Sequence, residues 1–438
     1  MASVNIRELV LETLLLINRD GEYSHIALGQ VLGKYQYLNK KDRAFLTRTV
    51  EGTLERRIEI DRIINQFSSV KINKMKPVIR EIIRSGVYQL KYMDSVPASA
   101  VCNEAVKLAA KKGFINLKGF VNGLLRNISR NLDHIEYPSK EEEPVQWLSA
   151  IYSMPEWIVR KWRKEYGEEK TEQILKAFLT ERPTSIRCSC SKSTPKELKS
   201  RLEEEGVTVK EYGEIPGAFL ISGYDYLDAL ETFREGCFQV QDISSMMVGE
   251  WADPKEGDYI IDVCAAPGGK SVHLADKMKG TGTVEARDLT EYKVNLIRDN
   301  IERLGLSNVV AVQQDALELD ETSLEKADIV IADLPCSGLG VLAKKSDLKY
   351  KMTEQMQKEL AKLQRDILSV VRRYVKPGGR LIYSTCTIDR EENEENAAWF
   401  ADKFPEFHLV KQQQMLPEQE AGDGFYIAEF ERKKADLE

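Results

Sequence analysis

The stretch DYIIDVCAAPGGKS, residues 258–271, decides how this chain folds. An apolar run, DYIIDVC, empties directly into a turn of small residues and glycines. A glycine-rich turn between a strand and a helix brings backbone N–H groups close to an anion or a cofactor. Working outward, the same rhythm of strand, turn and helix recurs. TVEARD (283–288), NVVAVQ (308–313), ADIVIAD (327–333) and GRLIYST (379–385) read as strands, with helical segments between them at 290–304 and 353–375. Such alternation predicts a doubly wound parallel sheet with strand order 3-2-1-4-5. FHLVK and GFYIAEFER, near the end, add edge strands.

Three readings of the glycine turn compete. A dinucleotide fingerprint needs G-x-G-x-x-G, which is absent. A phosphate loop needs G-x-x-x-x-G-K-[ST]; Gly269, Lys270 and Ser271 supply its end, but Cys264 stands where its first glycine belongs. The third reading is a pocket for S-adenosyl-L-methionine, whose nucleoside and methionine moieties require small neighbours such as Ala265, Ala266, Gly268 and Gly269. Asp288 ends the second strand, where an acid reaches ribose hydroxyls in folds of this kind. Asp315 follows the third strand, within reach of an adenine amino group. In the predicted sheet, tip 4 carries Asp333, Pro335 and Cys336, and tip 5 carries Thr385 and Cys386. Adjacent strands lie roughly 4.8 Å apart. Two thiols fifty positions apart in sequence are therefore expected to meet beside the glycine turn.

A thiol beside a methyl donor has a specific use. Carbon 5 of a pyrimidine is a poor nucleophile until a thiolate adds to carbon 6. A free thiol is mostly protonated near neutrality, so a cation such as Lys270 helps. Asp333 can hydrogen-bond the ring at N3 and the amino group, which favours cytosine over uracil. Residue chemistry alone leaves open which thiol attacks. Cys102, Cys188, Cys190 and Cys237 read as ordinary structural thiols.

The chain has 438 residues and a net charge of −7, unevenly spread. Residues 1–130 hold 22 Lys and Arg against 12 Asp and Glu, so the first part is cationic and the remainder acidic. A cationic module points to phosphate. Residues 1–130 read as a helical bundle: NIRELV opens with an Asn5–Glu8 capping box, Pro77 sits in a first helical turn and Gly113 ends a helix. Residues 131–146 are polar and acidic and read as a linker. Residues 147–240 read as a small α/β domain and 241–438 as the catalytic domain. Trp157 and Trp162 are spaced as core residues, with base stacking as the alternative. Seven scattered cysteines fit a reducing compartment. With no signal-peptide pattern at the N-terminus and no apolar run near the ~18 residues of a membrane span, the expected location is the cytoplasm. No metal is expected, and nothing demands more than a monomer.

DVCAAPGGKS, ADLPCSGLGVL and LIYSTCTIDREENE resemble the signature motifs of the Nol/Nop/Sun RNA cytosine-5 methyltransferases. SVPASAVCNEAVKLA and KGFVNGLLRN resemble the NusB-like domain of the branch of that family that acts on 16S ribosomal RNA. The resemblance covers essentially the whole chain. It implies an all-α NusB-like RNA-binding bundle, a small α+β RNA-binding middle domain and a Rossmann-like class I methyltransferase domain. It implies Cys386 as nucleophile and Cys336 as the thiol that assists product release, so that 5-methylcytosine and S-adenosyl-L-homocysteine are formed. It places cofactor contacts on Cys264, Ala265, Ala266, Pro267, Gly268, Gly269, Lys270, Asp288, Asp315 and Asp333. The substrate it implies is 16S ribosomal RNA, naked or in a partly assembled subunit. A non-catalytic RNA-binding assembly factor is the alternative from another functional class. Ser346 departs from the family pattern, which commonly has proline there.

Overall fold

The computed structural model describes residues 4–417 and 422–434. The outermost residues of the first and last expected domains thus lie outside the described residues. The chain divides into two compact units, Met1–Leu179 with Leu342–Lys351, and Thr180–Val341 with Met352–Glu438.

The first unit is helical. Its opening helix, Ile6–Asn18, starts at Asn5, whose side chain accepts the N–H groups of Arg7 and Glu8. The expected capping box is only half made, because Glu8 pairs instead with Lys111 and Lys112. Pro77 is the first residue of the helix Pro77–Tyr92, where a missing N–H costs nothing. Gly113, at φ +88°, follows the helix Ala98–Lys111 and ends it. Leu11, Ile60, Ile83, Val87, Leu125 and Ile128 meet in one buried cluster. The stretch read as a linker is strapped to the helix Arg57–Phe67: Tyr137 donates to Glu59, and Gln66 bonds both His134 and Glu136. Trp162 is fully buried against Phe178, which removes it as a base-stacking residue. Residues 342–351 pack as part of this unit. Asp347 accepts the N–H and hydroxyl of Ser24 at the start of one helix. Lys349 and Tyr350 take the carbonyls of Glu55 and Leu54 at the end of another.

The second unit holds two sheets. The smaller contains β1 (Thr184–Cys188), β2 (Thr208–Glu211), β3 (Ala218–Ser222) and β4 (Phe238–Val240) in the order β2-β3-β1-β4, all antiparallel. The helix Pro195–Glu204 packs with it, opened by a complete capping box between Thr194 and Glu197. The larger contains β5 (Tyr259–Asp262), β6 (Thr283–Asp288), β7 (Val309–Gln313), β8 (Ala327–Asp333), β9 (Val375–Thr385), β10 (Phe407–Met415) and β11 (Phe425–Arg432). Its order is β10-β11-β9-β8-β5-β6-β7, with β5 to β9 parallel and the last two antiparallel. The 3-2-1-4-5 order expected from sequence is thus present, and β11 lies inside the sheet with β10 at its edge.

Both faces of this sheet are covered, so its parallel strands read as near-continuous apolar runs. Successive residues feed opposite layers: Ile261 and Val330 join Leu368 and Tyr383 on one face, while Ile260, Ile329 and Ile331 join Leu274 and Ile297 on the other. Burying each such side chain contributes about 1.5–3 kcal/mol. The register places Asp333 opposite Ser384 and Asp262 opposite Ile331. Both cysteines therefore leave the sheet at the same level, three residues past Asp333 and two past Ser384.

Candidate active site

The sheet brings the two thiols together. Cys336 Sγ lies 3.2 Å from Cys386 Sγ, although fifty positions separate them in sequence. Further bonds stitch the two loops: Ser337 Oγ lies 2.8 Å from Thr387 Oγ1, and Gly340 N–H donates to the Cys386 carbonyl at 3.0 Å. Both cysteines are half-buried and neither forms a disulfide. The Cys336 thiol is pushed well above its ordinary range, first by its hydrogen bond with Cys386 and then by burial. A thiol held protonated beside a second sulfur can donate to that sulfur.

Asp333 and Lys270 form the next layer. Lys270 Nζ lies 2.7 Å from Asp333 Oδ2, and Ser384 donates to Asp333 Oδ1 at 2.8 Å. Burial works to lower the Lys270 pKa. Asp333, with smaller contributions from Asp262 and Cys386, more than offsets it and raises the pKa. Lys270 therefore stays cationic, with its field reaching the Cys386 sulfur. The pairing also engages the lysine and the aspartate that a phosphate-loop reading requires for phosphate and magnesium. Each Asp333 oxygen keeps a further lone pair for a ligand.

The glycine turn lies after β5. Gly268, at φ +100°, starts the helix Gly269–Lys277. A Cβ at this position would sit 3.3 Å from Ile297, so glycine suits both its backbone angle and its space. Asp288, nearly inaccessible, holds the turn by accepting the Ala266 N–H at 3.0 Å and also pairs with Lys293. Asp315 is half-buried and accepts the Leu317 N–H. Cys264 is raised by burial and by the surrounding aspartates, so it remains a neutral thiol in the wall of the turn. Ala265 is buried, Ala266 is half-buried and Pro267 is exposed.

Sequence reasoning assigned no role to Asp262, at the base of the turn. It is completely buried, accepts from Ser271 at 2.6 Å through Oδ2, and leaves Oδ1 without a partner. Burial lifts its pKa to about 7. An orphaned buried acceptor under a loop of small residues fits a polar cofactor seated on that loop. Ser384, Glu392 and Asn393 were also passed over, although all three sit in motif residues 381–394. Ser384 and Glu392 find their partners in other loops and Asn393 bonds back onto Thr385 and Thr387, contacts that a local pattern does not signal.

Comparison with known proteins matches three family descriptions in order along the chain: NusB family at residues 4–130, an RsmF/B-like methyltransferase ferredoxin-like domain at 154–224, and 16S rRNA methyltransferase RsmB/F at 250–431. The probable ribosomal RNA small subunit methyltransferase B of Bacillus subtilis (strain 168) is 35% identical, covering 99% of this chain and 100% of that protein. The chain belongs to the ribosomal RNA small subunit methyltransferase B family. The Synechocystis member is 31% identical over 98% of this chain and 100% of its own length. The crystal structure of PH0851 superposes with a TM-score of 0.84 at 27% identity, covering 98% of this chain and 99% of that one. The small β1–β4 sheet thus falls partly within the family's ferredoxin-like domain, and β5–β11 within its methyltransferase domain. The matched methyltransferase residues include both thiols, the glycine turn and all the acids described above.

Proposed function

We propose that this protein methylates carbon 5 of a cytosine in 16S ribosomal RNA, with Cys386 as the nucleophile and Cys336 as the thiol that assists release. The observation that carries the reading is the pair of sulfurs 3.2 Å apart, beside the Lys270–Asp333 pair and the glycine turn. The cofactor is S-adenosyl-L-methionine. Cys264 to Lys270, Asp288, Asp315 and Asp333 hold it, and Asp262 polarises the turn from beneath. When bound, it supplies the methyl group that carbon 5 takes, leaving as S-adenosyl-L-homocysteine.

The chain's own residues do the rest. Lys270 favours the Cys386 thiolate, which adds its electron pair to carbon 6 and makes carbon 5 nucleophilic. Asp333 accepts from the exocyclic amino group and stabilises charge that develops on the ring. After carbon 5 is alkylated a solvent water acts as base and takes its proton, the C–H electrons reform the C5–C6 double bond and Cys386 departs with the C–S electrons. Protonated Cys336 supports this departure from 3.2 Å away. A duplex hides carbon 6, so the base must be single-stranded or unstacked. The cationic residues 1–130 and the segment 147–240 grip the RNA, residues 131–146 connect them and residues 241–438 carry the chemistry, in the cytoplasm. No helix among the described residues is long and apolar enough to cross a membrane.

The test is to map 5-methylcytosine in the 16S ribosomal RNA of a deletion strain with and without the gene restored. One cytosine should lose and regain its methyl group. A map unchanged by deletion overturns the reading. Calorimetry with S-adenosyl-L-methionine separates it from a non-catalytic assembly factor, which would not bind the cofactor.

A further inference from the structure

Beyond the thiols, one dipeptide reaches both of their loops. Glu392 is completely buried. Its Oε2 accepts the Ser337 N–H at 2.9 Å and the Gln364 amide at 3.0 Å. The same Gln364 amide nitrogen donates to the Pro335 carbonyl at 2.9 Å. The peptide groups on either side of Cys336 are thus tied to one buried carboxyl, directly or through one side chain.

The neighbour, Asn393, is equally buried and treats Cys386 in the same way. Its Oδ1 accepts the Thr385 hydroxyl at 2.5 Å and its Nδ2 donates to the Thr387 carbonyl at 3.0 Å. Thr385 and Thr387 flank Cys386. A second bond from Nδ2 to Gln414 at 2.7 Å fixes the amide orientation.

We propose that Glu392 and Asn393 are positioning residues that together set the distance between the two sulfurs, Glu392 by bracketing Cys336 and Asn393 by bracketing Cys386. Consecutive residues on one backbone cannot drift apart, so two loops fifty positions apart share a single ruler. Burial raises the Glu392 pKa to about 7, opposed by its hydrogen-bond donors, so the brace also carries a proton near neutrality. Removing one prong should misplace one thiol and leave the other in position.

The proposal rests on the thiol roles given above, and its test keeps the two apart. Glu392→Ala should behave as Cys336→Ala, accumulating the covalent protein–RNA complex. Asn393→Ala should behave as Cys386→Ala, with complex formation slowed at least tenfold and KM for RNA within about twofold. A second readout needs no RNA. Diamide takes two hydrogens from the thiols as they join into a Cys336–Cys386 disulfide, scored by peptide mass spectrometry on the full chain. Wild type should cross-link readily and each variant at least tenfold more slowly.

Should the alanine variants fail to fold, Glu392→Gln and Asn393→Asp carry the test in the same shapes. The first sets an amide against the Gln364 donor and the second loses the donor to Thr387. Wild-type cross-linking in both positions, or the same partition of complex from both, overturns the brace. Slowed cross-linking with Cys336→Ala and Cys386→Ala failing to separate overturns the thiol roles and leaves the brace standing.

Discussion

The second unit contains two cysteine pairs that differ in sequence separation, exposure and surroundings. Cys188 and Cys190 are two positions apart where β1 runs into a turn. Cys336 and Cys386 are fifty apart and meet only because β8 and β9 are neighbours. In the first pair, Cys188 is buried and pushed up, chiefly by its hydrogen bond with Cys190, while Cys190 is exposed and lowered to about 7 by that same bond. Its turn is held by Asp276, which accepts the N–H groups of Cys190 and Ser191 and pairs with the buried Arg187. On ionisation alone, Cys190 is the more obvious nucleophile. Asp276 braces the peptides on both sides of it, but the glycine turn and the Lys270–Asp333 pair belong to the other site. The comparison teaches that a second thiol at bonding distance is common to both pairs, and that what sets Cys336 and Cys386 apart is their place past the tips of β8 and β9, beside Lys270 and Asp333.

The largest effect that could break this contrast is at Cys386. Cys386→Ala should lower methyl transfer by more than about a thousandfold, the scale of losing a covalent nucleophile, and abolish the covalent complex. Cys336→Ala should instead let the complex accumulate on denaturing gels. The trapped complex appearing with the first variant and missing from the second would reverse the two roles.

Lys270→Met is the next test. It removes the cation beside Asp333 and Cys386 while keeping the length of the side chain. Transfer should fall by roughly a hundredfold, within the range for losing one preorganised charge. The pH at which the covalent complex forms should move upward, because the thiolate loses its neighbouring cation. An unshifted profile would confine Lys270 to holding Asp333.

How far these sites were legible depends on where their partners lie. The strand runs and their tips were written locally, since a parallel sheet covered on both faces needs apolar runs such as IVIA at 329–332. The meeting of Cys336 and Cys386 followed from strand order. Asp262, Glu392 and Asn393 were invisible because their significance lies in burial and in side-chain contacts that periodicity does not encode. The same limit shows at the N-terminus, where Glu8 left its expected capping role for lysines about a hundred positions away. It shows again at 342–351, which follow the Pro-Cys motif yet pack with the helical unit. Gly167, at φ +78°, separates the helices Glu156–Tyr166 and Glu168–Ala177.

The two buried acids predict a stability signature that the Cys188–Cys190 region lacks. Burial raises Asp262 from 3.8 and Glu392 from 4.5 to about 7 each. The folded state then holds protons that the unfolded state releases. Their contribution is fully present below pH 4 and is lost as pH rises through about 7. At 1.36 kcal/mol per unit, the cost by pH 8 is about 4 kcal/mol for Asp262 and about 3 kcal/mol for Glu392. Asp262→Asn should therefore flatten the fall in stability between pH 5 and 8, read from urea midpoints. An unchanged slope would mean the acid is already ionised in the fold.

The smallest effect falls on the other pair, and it is the sharpest statement of the contrast. Cys190 is exposed and titrates near 7, so iodoacetamide should alkylate it early, at a rate that rises through pH 7 and levels off above about 8. Cys190→Ser should remove that early label while leaving methyl transfer within about twofold of wild type. Serine preserves the backbone N–H that Asp276 accepts, so the turn survives the change. A large loss of transfer would mean that this turn touches the reaction, and ionisation would then be a better guide to function here than geometry. Loss of the label with transfer intact would support placing the chemistry at Cys336 and Cys386, the pair beside Lys270 and Asp333.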